Sequence, residues 1–458
     1  MSDKPRSTSR ILTVGLMLFA LFFGAGNLIF PPVLGASAGP HLPAVLVGFL
    51  ITGVLLPLTT IIAVSTSGEG ISGIARRVGP RFGTVMPLAV YLSIGPCYAV
   101  PRVATVSYEL ATRPVLELAG VDPGRWALPV HAAVFFALTM LLALRPSRMA
   151  DRIGHWLTPA LLVLIALLCV VVIVRIPAVQ RGPAAAYAVR PFATGLTQGY
   201  LTMDVLSASV FGIVVLNALR SRGFAERRRI VGAASAAGVI AAALLVLVYL
   251  GLAMLGTRVD GDPSDGTALL RGAADLSLGG VGVVVFAAVV VLACLTTSTG
   301  LLSAWSSYSS MEWPQVGFGK ELAASTAVSF LLANLGLSTI VMIISPVTLL
   351  LYPIAITLVA VTLVDVAAPG HLHAAYLLGA VCSGLLGLVS ALADVGWSAP
   401  GDLLARTGLW NDQTGWIVPT LVCAVVGLLI DIIAGRWSGP APAVGEGAAA
   451  DPATAARP

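Results

Sequence analysis

A succession of long apolar segments constrains this chain more than any other feature of its sequence. Of the 458 residues, 57% are hydrophobic and only 10% are charged, and the mean hydropathy is +0.95. A soluble domain carries about 25% charged residues, and a helix of about 20 apolar residues can cross a bilayer. The sequence therefore predicts an all-α polytopic membrane protein whose helices are surrounded by the lipid bilayer.

Twelve apolar segments are predicted to span the membrane. Their approximate limits are 11–35, 43–64, 83–112, 128–144, 155–175, 195–219, 230–256, 280–311, 321–337, 339–364, 374–393 and 415–434. With Met1 in the cytoplasm, the inside segments hold 17 Lys and Arg and the outside segments hold eight. Because Lys and Arg concentrate in cytoplasmic loops, we expect a cytoplasmic N-terminus (1–10), a transmembrane domain (11–434) and a disordered cytoplasmic tail (435–458).

The first span is interrupted by the run FFGAGNLIFPP at residues 22–32, which holds two glycines, an asparagine and two prolines. Gly and Pro weaken a helix by about 1 and about 3 kcal/mol relative to Ala, and unpaired backbone groups are costly in lipid. A kink whose freed groups are satisfied by neighbouring helices is one explanation. The clustering favours another, in which a substrate and its coupling ion satisfy them.

Both sides of such a break could bind a ligand. The free N–H groups at residues 25–27 would begin a second half-helix, and the positive end of a helix dipole suits a carboxylate. The free carbonyls of Ala20, Phe22 and Phe23 would suit a small hard cation. Both polar ends of a zwitterionic amino acid could therefore be bound here.

Span six, which starts on the opposite side of the membrane from span one, is also rich in small and polar residues. It contains Gly195, Gln198, Gly199, Asp204 and the stretch 207–212. Corresponding interruptions in two halves of a chain are typical of inverted-repeat carriers. We therefore interpret about 11–175 and about 195–364 as inverted repeats of five spans each, with broken helices one and six and two peripheral helices at about 374–434.

Span eight carries neighbouring hydroxyl groups on Thr296 and Thr297, one turn after Ala293. Neutral oxygen ligands without a fixed carboxylate suit Na⁺. Alternatively, the hydroxyls bond carbonyls of their own helix, as is common in membrane helices. The spacing leaves both interpretations open.

Three ionisable residues are predicted to lie within the membrane: Arg102 and Glu109 in span three, and Asp204 in span six. Such residues are costly in lipid and are usually paired or functional. Arg102 and Asp204 would both lie in the outer half of the bilayer. An ion pair between them would be either a gate or a purely structural contact.

Other functional classes are disfavoured by the sequence. No constellation of metal ligands, nucleotide-binding glycines or activated nucleophiles indicates an enzyme or an organic cofactor. The net charge of +5 does not indicate nucleic-acid binding, because in a membrane protein the distribution of charge over the loops matters instead. No filter motif indicates a channel, no sizeable soluble domain indicates a receptor, and no obligate protein partner is evident.

Several stretches of this chain strongly resemble the bacterial branched-chain amino acid:cation symporters. They follow in the same order over most of the chain, which makes the match far more specific than one motif. They are the run at 22–32, Ile94-Gly95-Pro96 through Pro101-Arg102, Ser107-Tyr108-Glu109, Gly199 to Asp204, Leu292 to Thr297, and Leu350-Leu351-Tyr352-Pro353.

The resemblance implies a leucine-transporter-type fold in the bacterial cytoplasmic membrane and Na⁺-coupled uptake of leucine, isoleucine and valine by alternating access. It implies a Na⁺ site formed by the carbonyls of Ala20, Phe23 and Ala293 and the hydroxyls of Thr296 and Thr297. The implied substrate pocket is lined by Gly24, Ala25, Gly26, Asn27, Ser207, Ala208 and Phe211.

One residue departs from the family pattern, because Gln198 stands where a glutamate is expected. A role for a carboxylate at that position is therefore in doubt.

Two alternatives also stay open: a symporter of the same fold for another small neutral amino acid or a nucleobase, and a proton-coupled carrier.

Overall fold

The fold is described from a computed structural model, which describes residues 4–68, 70–259, 266–367, 372–406, 410–411 and 414–437. Within these residues the chain is helical throughout and has no strand, which confirms the predicted all-α class. Residues 1–3 and the predicted tail from 438 onward lie outside the described residues.

The α-helices follow one another with short connections. In chain order they are α1 (Lys4–Phe22), α2 (Ala25–Ala38), α3 (Leu42–Leu50), α4 (Leu56–Ser67), α5 (Ile71–Ala75), α6 (Pro80–Leu92), α7 (Ala99–Ser107), α8 (Arg113–Leu118), α9 (Ala127–Ala143), α10 (Pro146–Arg152), α11 (Thr158–Arg175), α12 (Ala185–Val189), α13 (Pro191–Tyr200), α14 (Asp204–Arg220), α15 (Arg227–Gly256), α16 (Gly266–Leu278), α17 (Gly280–Glu312), α18 (Phe318–Ala333), α19 (Leu337–Ala367), α20 (Ala374–Asp394), α21 (Ala399–Ala405) and α22 (Ile417–Ile433). Single π-helical turns join several of them, at Ile51–Leu55, Ser93–Cys97, Tyr108–Thr112 and Ile153–Leu157.

Each predicted span coincides with one or more of these helices. In the described part of the chain, seven helices are long and apolar enough to cross a membrane, or eight if the bent pair α13 and α14 counts as one span. Three further apolar helices are shorter. The count of twelve spans and the inverted repeat stay predictions, whereas the polytopic helical class is confirmed.

The helices around the two breaks form the centre of the fold. Helix α1 packs against α15, α14 and α17, and α14 also packs against α4 and α17. Buried apolar side chains from all of these helices form one continuous core. This arrangement brings spans one and six, far apart in sequence, against each other and against span eight.

The last two long helices join the fold through α19. Helix α20 packs against α19 and α22, and the indole N–H of Trp416, just before α22, donates to the Tyr200 hydroxyl over 3.1 Å. The Tyr200 ring in turn lies edge-on to Tyr352 of α19, with centroids 4.6 Å apart. The helices predicted to be peripheral therefore also contact the first half of span six.

Candidate functional site

The interruption in span one is a true break between two helices. Helix α1 ends at Phe22 and α2 begins at Ala25, and between them Gly24 is extended, with φ −93° and ψ −175°. The Gly24 N–H turns back to the Phe22 carbonyl over 2.8 Å. Carbonyls in the last turn of α1 consequently lose the partners that a continuous helix would supply, as the sequence predicted.

The hydroxyls of span eight contact these freed carbonyls. The Oγ1 atom of Thr296 lies 2.9 Å from the carbonyl oxygen of Ala20 and 3.0 Å from those of Ala293 and Leu292. The Oγ1 atom of Thr297 lies 3.1 Å from the Leu21 carbonyl oxygen. Both threonines are buried. Thr296 therefore bonds within its own helix, which was one of the two interpretations, and also contacts span one; its role as a Na⁺ ligand stays a prediction.

The Thr296 hydroxyl cannot donate a separate hydrogen bond to each carbonyl oxygen around it. A hydroxyl has one proton to donate, yet three carbonyl oxygens lie within 3.0 Å of this one. At least two of these oxygen–oxygen contacts therefore have no proton between them. A small cation bound among the oxygens would replace that repulsion with attraction, and neutral oxygens are suitable ligands for it.

The Phe23 carbonyl, the remaining predicted cation ligand, has no recorded hydrogen bond to either threonine within the described residues, and Thr297 contacts Leu21 instead. The backbone of the break still lies directly against span eight. A Cβ atom placed on Gly24 would be 3.2 Å from the Thr297 Oγ1. Three of the five predicted cation-site residues, Ala20, Ala293 and Thr296, are therefore in direct contact, while Thr297 contacts span one at Leu21.

The interruption in span six is also a break. Helices α13 and α14 meet at a bend of 44°, and Met203 between them has a positive φ of 56°. Positive φ is uncommon for residues other than glycine, so the surrounding structure must stabilise this conformation. Gln198 lies half-buried in α13, one turn before the break.

The two breaks are joined by a contact that was not predicted from the sequence. The Asn27 side-chain amide donates to the Phe22 carbonyl over 2.7 Å and to the Asp204 carboxylate over 3.0 Å. Both side chains are buried. The prediction for Asp204 was a charged partner, whereas the sequence signal for this contact was the presence of one polar residue at each break.

The predicted Arg102–Asp204 pair is not formed, and the ionisable residues have other partners. Arg102 bonds locally, because its Nη1 donates over 3.0 Å to the hydroxyl of Tyr98, the residue directly before α7. Glu109 pairs with Arg113 one turn later, over 3.0 Å and with both side chains exposed. Because local partners one turn away satisfy Arg102 and Glu109, neither reaches the breaks.

The predicted substrate residues surround the same junction. A Cβ atom on Gly26 would find no atom within 4 Å, so this side of α2 adjoins open space, whereas Ala25 begins the helix. In α14, Ser207 is half-buried and Ala208 is buried. The Phe211 ring lies edge-on to the Phe22 ring, with centroids 5.7 Å apart.

A cavity of about 520 Å³ lies further along α14 and α17. Its polar lining consists of Asn217 on α14, Ser221 directly after α14, and Ser303, Ser307 and Ser310 on α17. It begins about two helical turns beyond the threonine pair. Because spans six and eight are predicted to run inward, this cavity would lie between the site and the cytoplasm.

Comparison with known proteins identifies the family. The model of the family described as branched-chain amino acid transport protein matches residues 7–434. The chain belongs to this family. It is therefore a member of a family of transport proteins rather than of enzymes, in agreement with the prediction.

Curated members of the branched-chain amino acid transport family resemble the chain over nearly its whole length. The branched-chain amino acid permease BrnQ of Corynebacterium glutamicum is 42% identical over 426 residues, covering 93% of this chain and 96% of the relative. The permease BraB of Bacillus subtilis is 36% identical, with 93% and 96% covered. The branched-chain amino acid transport system 2 carrier protein of Pseudomonas aeruginosa is 37% identical, with 93% and 97% covered.

Two solved transporters share the fold at low sequence identity. Mhp1, a nucleobase-cation-symport-1 family transporter in a closed conformation with bromovinylhydantoin, has a TM-score of 0.55 at 14% identity, covering 93% of this chain and 92% of its own. MhsT in complex with L-phenylalanine has a TM-score of 0.52 at 16% identity, covering 91% and 98%. These likenesses agree with the predicted leucine-transporter-type fold.

Proposed function

We propose that this protein is a Na⁺-coupled symporter that carries leucine, isoleucine and valine into the bacterial cell by alternating access. Membership of a branched-chain amino acid transport family supports the substrate class, as do relatives that are named as branched-chain amino acid permeases. The excess of Lys and Arg in the segments predicted to lie inside supports a cytoplasmic-membrane location with both termini in the cytoplasm.

The observation that carries the Na⁺ proposal is the crowding of oxygens around the Thr296 hydroxyl. Three carbonyl oxygens lie within 3.0 Å of it, although it has one proton. Two of them, those of Ala20 and Ala293, were predicted cation ligands. Because no carboxylate or histidine takes part in these contacts, a cation fits this site better than a bound proton does.

The proposed substrate site lies beside the cation site at the same break. The N-terminus of α2 would bind the substrate carboxylate, and the open space next to Gly26 would accept the ligand. The neighbouring Phe22 and Phe211 rings are buried and apolar, which suits a branched aliphatic side chain.

The experiment is uptake of labelled leucine by the purified protein reconstituted in liposomes. An inward Na⁺ gradient at equal pH should drive accumulation, and a proton gradient in choline buffer should not. Accumulation that persists when choline replaces Na⁺ but disappears with a protonophore would overturn Na⁺ coupling in favour of a proton-coupled carrier.

Competition in the same assay tests the substrate class. Excess valine or isoleucine should block leucine uptake, because an apolar pocket separates side chains that differ by one methylene by only about 1–3 kcal/mol. Lysine and glutamate should not block it. Alanine and uracil test the alternative substrates, and stronger competition by either than by valine would contradict the assignment.

A further inference from the structure

Asp204 is a buried carboxylate without a positive partner. Its side chain is 5% exposed and lies at the first residue of α14, directly after the bend in span six. The described ion pairs do not include it, and its hydrogen-bond partners are neutral: the side-chain amide of Asn27, over 3.0 Å, and the side chain of Thr202. An uncompensated charge within a membrane protein is costly. The carboxylate therefore needs a cationic ligand or a proton.

Two unpaired hydroxyls lie near the same carboxylate. The Tyr249 and Tyr352 hydroxyls are buried and make no hydrogen bond of normal geometry. Both lie close enough to Asp204 to be influenced by its charge, and the Tyr352 hydroxyl lies beside the backbone N–H of Val205. Because buried polar groups are rarely left unpaired, these hydroxyls are suitable acceptors for a ligand that also donates to the carboxylate.

The position of Asn27 connects this acidic group to the start of α2. Asn27 belongs to the first turn of α2, and its side chain reaches back across the break to both the Phe22 carbonyl and Asp204. The carboxylate therefore lies within one side-chain length of a helix N-terminus. A ligand that suits both features carries a positive and a negative group on adjacent atoms, as an α-amino acid does.

We infer that Asp204 is the anchor for the α-ammonium group of the substrate. This inference rests on the proposed function and deepens it. The ammonium donates to the Asp204 carboxylate and to the tyrosine hydroxyls, while the substrate carboxylate accepts N–H groups of α2. The Na⁺ proposed at Ala20 and Thr296 uses different oxygens, so the two cationic groups have separate ligands.

The test compares leucine with 2-hydroxy-4-methylpentanoate, which replaces the ammonium by a hydroxyl and keeps the side chain and carboxylate. Binding to the purified full-length protein is measured at saturating Na⁺. In Asp204→Asn, leucine affinity should fall by about 100-fold, since losing one partner of a buried charge pair has an effect of this order. Affinity for the hydroxy acid should change by less than about threefold, and Glu109→Gln, which alters an exposed carboxylate, should change neither.

A second pair of variants protects the test against misfolding of Asp204→Asn. Tyr249→Phe and Tyr352→Phe keep the aromatic rings and remove only the unpaired hydroxyls. At least one of them should weaken leucine binding by about threefold or more, the order expected for one hydrogen bond. In the absence of leucine, Na⁺ should still raise the midpoint of thermal unfolding, and the Na⁺ concentration that gives half of this rise should be unchanged.

The outcomes separate this inference from the proposed function. Equal losses for leucine and the hydroxy acid in Asp204→Asn would overturn the ammonium assignment. A large shift in Na⁺ binding without leucine would assign Asp204 to a cation and overturn it as well. If Asp204→Asn does not fold, unchanged leucine affinity in both tyrosine variants would overturn it. Failure of the unaltered protein to bind any branched-chain amino acid would instead overturn the proposed function and this inference together.

Discussion

At the residue scale, two kinds of oxygen lie at one break and differ in charge. The oxygens around Thr296 are neutral and belong to carbonyls and a hydroxyl. The oxygens of Asp204 belong to a carboxylate and lie against Asn27. A set of neutral oxygens can bind a cation although the protein supplies no negative charge there, whereas a carboxylate is selective for a positive group. The separation explains how one break could hold a coupling ion and a zwitterion.

The threonine pair provides the first prediction. Thr296→Val removes one oxygen while keeping nearly the same volume, so the Na⁺ concentration for half-maximal leucine uptake should rise about tenfold, equivalent to about 1.4 kcal/mol. Thr297→Val should raise it as well. Uptake is measured against Na⁺ concentration at saturating leucine.

Thr299→Val is the matched control for these variants. Thr299 lies on the same helix and is equally buried, but its hydroxyl donates over 2.7 Å to the Leu295 carbonyl in its own helix. Its Na⁺ dependence should be unchanged. If all three valine variants showed the same Na⁺ dependence as the unaltered protein, span eight would be removed from the cation site.

At the element scale, glycines allow helices α3 and α13 to meet backbone to backbone. A Cβ atom on Gly195 would lie 2.0 Å from the Val45 carbonyl oxygen, and one on Gly48 would lie 2.3 Å from that of Phe192. Small residues at such interfaces permit close helix packing in membranes. This contact holds the first half of span six, and hence the position of its break.

We predict that Gly195→Ala destabilises the protein, because the added methyl must push α13 away from α3. Overpacking of this kind costs about 1–3 kcal/mol. Gly232→Ala in α15 is the control, since its Cβ would meet nothing within 4 Å and alanine favours a helix by about 1 kcal/mol. Thermal unfolding in detergent should show a lower midpoint for Gly195→Ala only, and equal midpoints would contradict the packing argument.

Asp431 of α22 caps the start of α20. It is fully buried and accepts the backbone N–H groups of His373, Ala374 and Ala375 over 3.0, 3.1 and 3.0 Å. It also accepts Nη1 of Arg436 over 3.1 Å. A carboxylate at a helix N-terminus both satisfies free donors and opposes the positive end of the helix dipole.

Asp431→Asn should therefore lower stability without altering the transport site. One amide oxygen replaces two carboxylate oxygens, so some of the bonds at the start of α20 are lost, at a cost of about 1–3 kcal/mol. The midpoint of thermal unfolding should fall, while the Na⁺ dependence of leucine binding stays unchanged. A shifted Na⁺ dependence would instead mean that α20 and α22 act on the central site.

At the scale of the whole molecule, the proposed site exists only where three distant segments meet. The contacts from Thr296 to Ala20 and from Asn27 to Asp204 join residues 276 and 177 positions apart in sequence. Because the cation and substrate sites share the broken end of α1, occupancy of one should stabilise the geometry of the other.

This arrangement predicts reciprocal coupling between Na⁺ and leucine. The factor by which saturating Na⁺ raises leucine affinity should equal the factor by which saturating leucine raises Na⁺ affinity. Both can be measured by titration of the purified protein. In Thr296→Val both factors should decrease together, whereas independent binding of the two ligands in the unaltered protein would contradict a shared break.

Local properties of the sequence were sufficient to determine the class of the protein and the position of its main break. Apolar segment length and low charge predict membrane helices because the bilayer imposes a fixed thickness. The glycines at 24 and 26 predict an interruption because backbone propensity acts on neighbouring residues. The neighbouring hydroxyls of Thr296 and Thr297 could also be identified from the sequence alone, because they are adjacent residues in one apolar span. The resemblance to a known family added their predicted partners.

Only the tertiary structure decided which side chains meet across the breaks. Charge alone predicted a pair between Arg102 and Asp204, yet Arg102 bonds the nearby Tyr98 and Asp204 accepts a hydrogen bond from Asn27. Thr297 likewise contacts Leu21 rather than Phe23. Such choices depend on the rotation and depth of each helix in the packed core, and no local property of the sequence specifies either.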